Sequence, residues 1–579
     1  MQVAAGMQKK QWVVYPADKR ADELGRRLGV SPVVAQVLIN RQVETVEAGN
    51  SFINPKLSDL IAPERMAGTG AAIERIVKAV EADEKITIYG DYDVDGITGT
   101  AILWHMLKML GGRVDYYIPH RIEEGYGLNA EAIKQIAENG TGLIITVDCG
   151  ITARESIRQA YELGMEVIVT DHHQINGQVP EAAAVVHPGL DSYENPDSAG
   201  ATVAFKLAWG IANKLRGPGR LEQELRDFLV NATMFAAMGT VADIVDLRGE
   251  NRIITSFGLK ALPESTLPGI RALVASAGLS GQEVDSYHVG FHLGPMLNAA
   301  GRMGHARLAV ELLTSDNEVR SVRIAEYLKE QNRQRQQFGR KMFKKSCEKI
   351  LSAGLDHPNR KSIVLAEEDW HGGIIGITAS RIVDKYCKPT ILISSADGVS
   401  QGSGRSIEGF NLFEALQACS QHLVNYGGHS MAAGITLKTE KIGVFAEDFE
   451  IYAKKHVRDC DIVARLQIDA VCSIGQFRSS TVKQIQLLGP FGKGNSEPVF
   501  ASKAVHLLSP PKKVGQRSDH LQLTLSDNTG AVRCIAFGMG HLEKKIVESD
   551  IFHVAYRPKP DTYSGGDSVQ FVIEDIQFE

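Results

Sequence analysis

The apolar positions of the chain fall into two kinds of run. Short β-branched runs appear at KITIYG (85–90), VDYYIP (114–119), GLIITV (142–147), EVIVT (166–170) and AAAVV (182–186). Between most of them lie stretches with helical spacing, such as TGTAILWHMLKML, NAEAIKQIAE and ARESIRQAYELG. That alternation predicts a mainly parallel sheet covered by helices over residues 66–313. Residues 1–65, ending near FINPKLSDLIAPERM, read as short helices and turns whose expected role is packing. Residues 314–352 hold few breakers. Val319 and Val322, then Phe338 and Met342, keep helical spacing there, so a connecting helix on the order of 50 Å is expected at ~1.5 Å per residue. A second α/β block, with SIVLAEE and PTILIS, occupies 353–460. Residues 461–579 are richest in strands and turn signals (PVFASKAVHLL, HLQLTLSDNTGAVRCIAFG, IFHVAYRPK), which predicts a small β-barrel.

At 579 residues the chain exceeds one ordinary core and implies several domains. Its 44% hydrophobic and 23% charged residues are those of a globular, soluble protein. A net charge of −6 argues against an indiscriminate polyanion binder while allowing a locally basic groove. The seven cysteines are scattered with no Cys-x-x-Cys pair, so neither a disulfide framework nor a zinc knuckle is supported. No signal-like or membrane-spanning run is found, and a cytoplasmic setting without membrane contact is expected.

The candidate chemistry lies where the first sheet's strands end. KITIYG runs into Asp91, Asp93 and Asp95; GLIITV into Asp148; EVIVT into Asp171, His172 and His173. The carboxyl ends of parallel strands line one crevice, so these groups are expected to converge. A helix-like run, FLVNATMFAAMGTVADIVDL, adds Asp243 after a Gly-Thr turn. Like charges so close need cations among them. Carboxylates with one or two imidazoles suit manganese or magnesium, and sulfur ligands are absent. Any one of these residues alone would be read as a helix cap or a core histidine; four sites obeying one strand-end rule argue otherwise. DYDVDG matches part of a calcium loop, but Ile102 stands where a bidentate Glu is required. A phosphatase carrying a nucleophilic Asp remains open, although it leaves the His172–His173 pair unexplained.

DYDVDG, VDCG, TDHH and GTVADIV, in this order, resemble the four motifs of the DHH phosphoesterase superfamily. IPHRIEEGYGLN, GPMLNAAGRMG, NRQRQQF, WHGGIIGITASRI, GSGRS, GGHSMAAG and LLGPFGKGNSEPVF resemble one branch, the RecJ family of 5′-to-3′ exonucleases acting on single-stranded DNA. The resemblance runs from about residue 12 to the end. It implies an α/β fold: a DHH domain with a parallel sheet, a long connecting helix, a DHHA1-type domain and a C-terminal OB-type barrel. It also implies two divalent metal ions, manganese or magnesium, held by Asp93, Asp95, Asp148, His172 and Asp243; on the physics of a two-ion site Asp95 is the candidate bridge. Asp91 and His173 match positions that support the site or touch the scissile phosphate, and Asp171 is assigned to orienting the imidazole. By the same resemblance Arg121, Ser403 and Arg405 form a 5′-phosphate pocket, and Arg302 and His429 contact the strand. The segment DSYENPDSAGATVAFKL departs from the family's Pro- and Gly-rich version, where no ligand is expected. Phe500, His520 and Phe537 are candidate base-stacking residues of the barrel. Arg333, Arg335, Arg340, Lys341, Lys344 and Lys345 on the connecting helix form either a solvated face or a wall of a DNA channel. The expected substrate is single-stranded DNA with a 5′ phosphate, digested to mononucleotides in recombination and DNA repair. A monomer is expected, with a helicase and a single-strand-binding protein as candidate partners. Two alternatives are a DHH phosphoesterase acting on short oligonucleotides or cyclic dinucleotides, whose members are shorter and lack the barrel, and a non-catalytic nucleic-acid scaffold.

Overall fold

A computed structural model describes residues 10–121, 124–175, 177–216, 223–302, 305–561 and 568–578. Within the motifs quoted above, Ile122, Glu123, Met303 and Gly304 lie outside the described residues, as do residues 1–9 of the N-terminal segment.

The first sheet has five strands, all parallel, in the order Val114–Tyr117, Ile86–Gly90, Leu143–Val147, Glu166–Thr170, Ala184–Val186. The strands Ile86–Gly90 and Leu143–Val147 are buried at every position. Helices cover both faces, so these strands read as unbroken apolar runs instead of alternating ones. In chain order the sheet is 2-1-3-4-5. The order reverses between the first and third strands, and open α/β sheets bind ligands at such a switch point. Helix Val94–Met109 leaves the first strand and packs against Gly200–Arg216 and Gln223–Ala242 in one continuous core.

Helix Glu318–Ser352, 35 residues long, spans roughly 50 Å. Ile324, Ala325 and Leu328 sit in the first domain's core, and Met342 and Ile350 in that of the second. Val319, Val322 and Phe338 stay exposed. The second α/β sheet runs Leu423–Gly428, Ala432–Lys438, Val399–Arg405, Thr390–Ser394, Ile363–Glu367, with only the last pair parallel. The C-terminal sheet orders Phe500–Val514, His520–Asp527, Gly530–Ala536, Val569–Phe578 and Phe552–Pro560. The last strand pairs back onto the first, which closes an OB-type barrel.

The helices Ala21–Leu28, Pro32–Asn40 and Val46–Ile53 pack against the far end of the chain. Val33, Val34, Val37 and Leu38 share a core with Phe477, Leu488 and the barrel strands. The Arg41 guanidinium is buried there against Asp469 at 2.9 Å and donates further to the Asn495 side chain and the Ser496 carbonyl. Arg252 joins distant segments, donating to the carbonyls of Phe52, Leu487 and Leu488 while lying 3.8 Å over the Phe52 ring. No described helix is long and apolar enough to cross a membrane.

Candidate functional site

Register brings the strand-end residues together. Gly90 pairs with Val147, so Asp91 and Asp148 leave the sheet side by side at the switch point. The Asp91 amide donates to the Val147 carbonyl (3.1 Å) and the Asp148 amide to that of Thr170 (3.0 Å). Asp148 turns the chain with φ +62°, a left-handed conformation that aspartate tolerates better than most residues.

Each acid is then held by its own backbone contacts. Asp93 is the N-cap of helix Val94–Met109 and accepts from the amides of Asp95 (2.9 Å) and Gly96 (3.3 Å). Asp95 accepts from the first two amides of helix Gly200–Arg216, at 2.6 Å from Gly200 and 2.9 Å from Ala201. Asp171 accepts from the amides of Ile151, His172 and His173 and from the His173 ring at 2.8 Å. The imidazole it orients is therefore that of His173, which also lies 3.1 Å from the Tyr126 hydroxyl. Asp243 follows the C-terminus of helix Gln223–Ala242. The expected Gly-Thr turn before it is absent: Gly239 and Thr240 are helical and buried. Gly239 serves close approach instead, since a Cβ there would stand 2.4 Å from Asp95 Oδ1 and 2.6 Å from the Ala201 Cβ.

Three overlapping groups result, in each of which the candidate ligand atoms lie within 4.8 Å of one another: Asp91, Asp93 and Asp148; Asp95, His172 and Asp243; Asp148, His172 and His173. His172 Nε2 is 3.0 Å from Asp148 Oδ1, 3.6 Å from Asp243 Oδ2 and 3.7 Å from Asp95 Oδ2. Close as they are, His172 Nε2 and Asp148 Oδ1 are both buried with no hydrogen-bond partner, and so is Asp91 Oδ1. Buried polar atoms left this way are costly unless an ion completes them.

The electrostatics agree. Burial, and then the neighbouring acids, push Asp91 and Asp148 well above the usual carboxylate range. Burial and Asp243 raise Asp95 to about 7, and burial and Asp93 raise Asp243 to about 7. Burial lowers His172 and favours the neutral imidazole that binds metals. For His173 burial acts downward, but the Asp171 hydrogen bond and charge carry it up to about 9. These donors fit hard divalent cations; Asp148 and His172 each stand in two of the three groups and Asp95 in one.

The arginines gather beside the cluster where the first two domains meet, Arg121 and Arg302 from the first and Arg405 from the second. The Arg121 guanidinium lies 4.7 Å over the ring of Tyr92, the residue between Asp91 and Asp93 in sequence. Arg302 donates to the Gly373 carbonyl (2.8 Å) at the start of helix Gly372–Tyr386. A Cβ on Gly376 of that helix would meet Arg405 Nη2 and Ser403 Oγ, each at 2.9 Å. Arg405 donates to Ser403 Oγ at 3.0 Å. Burial, and then the charges of Arg121, Arg335 and Arg405, bring Arg302 down to about 9. His429 is exposed in the turn beyond; its amide donates to Ala432, the strand partner of Arg405. Of the connecting helix's cations, Arg335 faces this cluster. Arg333 pairs with Glu330, Lys344 with Glu348, and Lys345 with Glu367 and Asp369, as on a solvated face.

Three residues in contact with the site are missing from the sequence-based expectations. Tyr126 lies inside a quoted motif, Gly239 in the expected turn, and Gly200 in the very segment where no ligand is expected. Of the aromatic candidates, Phe500 is fully buried among Phe477 and the barrel strands and cannot stack on a base. Phe537 is exposed, with His520 edge-on at 5.2 Å.

The chain matches the family model of the DHH family N-terminal domain over residues 85–233, the DHHA1 domain over 359–455 and the RecJ OB domain over 468–575. It is 36% identical to the single-stranded-DNA-specific exonuclease RecJ of Bacillus subtilis, over 98% of this chain and 71% of that protein. To the RecJ of Haemophilus influenzae it is 30% identical, over 96% and 98%. The crystal structure of RecJ in complex with Mn2+ from Thermus thermophilus superposes with a TM-score of 0.84 at 29% identity, covering 98% of this chain and 80% of that one. The Mg2+ complex of RecJ from the same organism gives 0.78 at 28% identity, covering 98% and 78%. With all three domain models in order and full-length relatives at this identity, the chain belongs to the RecJ family of the DHH superfamily.

Proposed function

We propose that the chain is a metal-dependent exonuclease that hydrolyses single-stranded DNA from its 5′ end to mononucleotides, in recombination and DNA repair. The observation that carries this reading is a juxtaposition of opposite charges where the first two domains meet. A carboxylate–imidazole cluster with unpartnered buried donors faces Arg121, Arg302 and Arg405, which have no carboxylate within ion-pair distance among the described residues. Each side lacks the charge that a metal-loaded phosphodiester would bring.

Two divalent ions, manganese or magnesium, would be held by Asp93, Asp95, Asp148, His172 and Asp243, with Asp91 in support. Bound there, such ions supply Lewis-acid stabilisation of phosphate oxygens and easier ionisation of water. The protein's own part is positioning. The Gly200 and Ala201 amides fix Asp95, the helix cap fixes Asp93, and Asp171 fixes the His173 ring so that its other nitrogen can donate to the scissile phosphate. A terminal phosphate carries more charge than an internal one, so a pocket of Arg121, Ser403 and Arg405 beside the cluster selects the 5′ end. Arg302 and His429 follow the strand, and the barrel holds its continuation by basic grooves and stacked bases. A helicase and a single-strand-binding protein are the partners such an activity calls for.

The test is digestion of a labelled strand with manganese. Asp95→Ala and Asp148→Ala should each abolish it. Arg405→Ala should weaken binding of 5′-phosphorylated strands more than of 5′-hydroxyl strands; an equal loss for both removes the pocket assignment.

A further inference from the structure

The Asp243 side of the cluster carries a surface that the proposed reaction does not use. Tyr287 and Phe291 are 58% and 66% exposed, yet their rings stack on each other with centroids 4.7 Å apart and planes 29° apart. His292 stands 5.9 Å from the Tyr287 ring. Phe291 and His292 lie in a single π-helical turn, Val289–Leu293, and Tyr287 in the short helix Ser286–His288 that leads into it; helix Gly294–Arg302 follows. Such turns are rare and frequently mark functional sites.

The turn is seated beside the cluster. Val289 and Leu293 are fully buried, and a Cβ on Gly294 would lie 3.8 Å from both Ala242 and Val94, the neighbours in sequence of Asp243 and Asp93. Ile244, directly after Asp243, has φ +59° and is 64% exposed. A β-branched residue in the left-handed region is an outlier, and such strain persists where the surroundings impose it. Here it puts a third large apolar side chain on the surface beside Asp243. On its other flank the turn meets the segment that enters the barrel. The Ser286 hydroxyl donates to the Phe491 carbonyl, and the Leu247 amide donates to the Lys493 carbonyl at 2.8 Å.

We infer that Tyr287 and Phe291 form a stacking platform for nucleobases of the single strand between the barrel and the metal cluster. The inference rests on the single-strand reading above. A strand joining barrel and cluster crosses this seam. One stacked ring pair matches the π-face of one or two bases, whereas a stable protein interface takes about 20 residues a side. Stacking on exposed rings is indifferent to sequence, as a non-specific exonuclease requires.

The test is a walk of single abasic sites along a 5′-phosphorylated strand of about 20 nucleotides, with KM and kcat measured in manganese. In the wild type one short window of positions should raise KM about 5- to 100-fold, the range that base–aromatic stacking supports. In the Tyr287→Ala/Phe291→Ala double variant KM for the intact strand should rise by a similar factor, and the abasic window should disappear because the partner is already gone. Phe291→Trp should keep the window and Phe291→Leu should reduce it. An unchanged window in the double variant overturns the inference, as does full retention with Phe291→Leu, which would mark a merely apolar surface. A wild type that digests no single strand at all refutes the proposed function itself, which distinguishes that failure from failure of the platform alone.

Discussion

Replacing Gly239 by alanine opposes two physical effects whose outcomes can be read separately. Gly239 lies inside helix Gln223–Ala242, where alanine is favoured over glycine by up to ~1 kcal/mol. Its Cβ, however, would stand 2.4 Å from Asp95 Oδ1, 2.6 Å from the Ala201 Cβ and 2.8 Å from Thr98 Oγ1. Real Cβ contacts essentially never fall below 3.0 Å, so Asp95 must move by at least 0.6 Å or the Gly200–Arg216 helix must recede. Overpacking of this kind costs about 1–3 kcal/mol, leaving a net destabilisation of roughly 0–2 kcal/mol once helix propensity is credited. Activity should fall far more, because a misplacement near 1 Å costs on the order of 100-fold. The expected result is a loss of manganese-dependent digestion of about 10- to 100-fold, with the variant still folded by near-UV circular dichroism. Gly339→Ala is the control: it too is helical, but its Cβ would meet nothing nearer than Ile374 at 3.8 Å, so stability should rise slightly and the rate should hold. A Gly239→Ala enzyme as fast as wild type would refute the claim that this glycine sets the position of Asp95.

Manganese at about 100 times its dissociation constant should stabilise the folded chain by about 2.7 kcal/mol per site, and Asp148→Ala should remove most of that shift in thermal unfolding; identical curves with and without metal would contradict the cation fit. Lys206→Met should destabilise the first domain by about 3–5 kcal/mol, since Glu250 would keep its bonds from Tyr193 (2.7 Å) and Ile61 (2.9 Å) but lose its buried counter-charge; urea unfolding with a loss under about 1 kcal/mol would defeat this expectation. In mildly alkaline buffer Cys460, the exposed thiol, should react fast with a thiol reagent, whereas Cys472, pushed up to about 12 by burial, and the equally buried Cys149, Cys419 and Cys534 should react only after denaturation; a fast burst that includes any of these four would overturn the burial assignments.

The strand ends are legible in the sequence because strand and helix periods locate them, and a parallel sheet brings its carboxyl ends together whatever the loops do. What stays hidden depends on contacts across distant sequence. Asp95 is fixed by amides 105 and 106 residues away, and amides leave no trace in residue type. Phe500 and Phe537 both read as strand aromatics, and only barrel closure turns one inward. Arg335 differs from Arg333 solely in the helix face it occupies, which becomes visible once Arg302 is placed nearby. The N-terminal helices show apolar faces without an address, because the barrel residues that share their core begin more than 400 positions later, as the 428-residue separation of Arg41 and Asp469 illustrates.

That last arrangement bears on how the chain is made. Arg41 and its buried partner Asp469 are 428 residues apart. At about 5–20 residues per second, the first helices wait on the order of 20–90 s for the barrel that covers them. During that interval Val33, Val34, Val37 and Leu38 are exposed at a ribosome still building two intervening domains. Nascent chains stalled before residue 460 should therefore be cut by protease within residues 20–53, and completed chains should resist. These helices are made long before the barrel that completes their core, and they finish folding only once it is there.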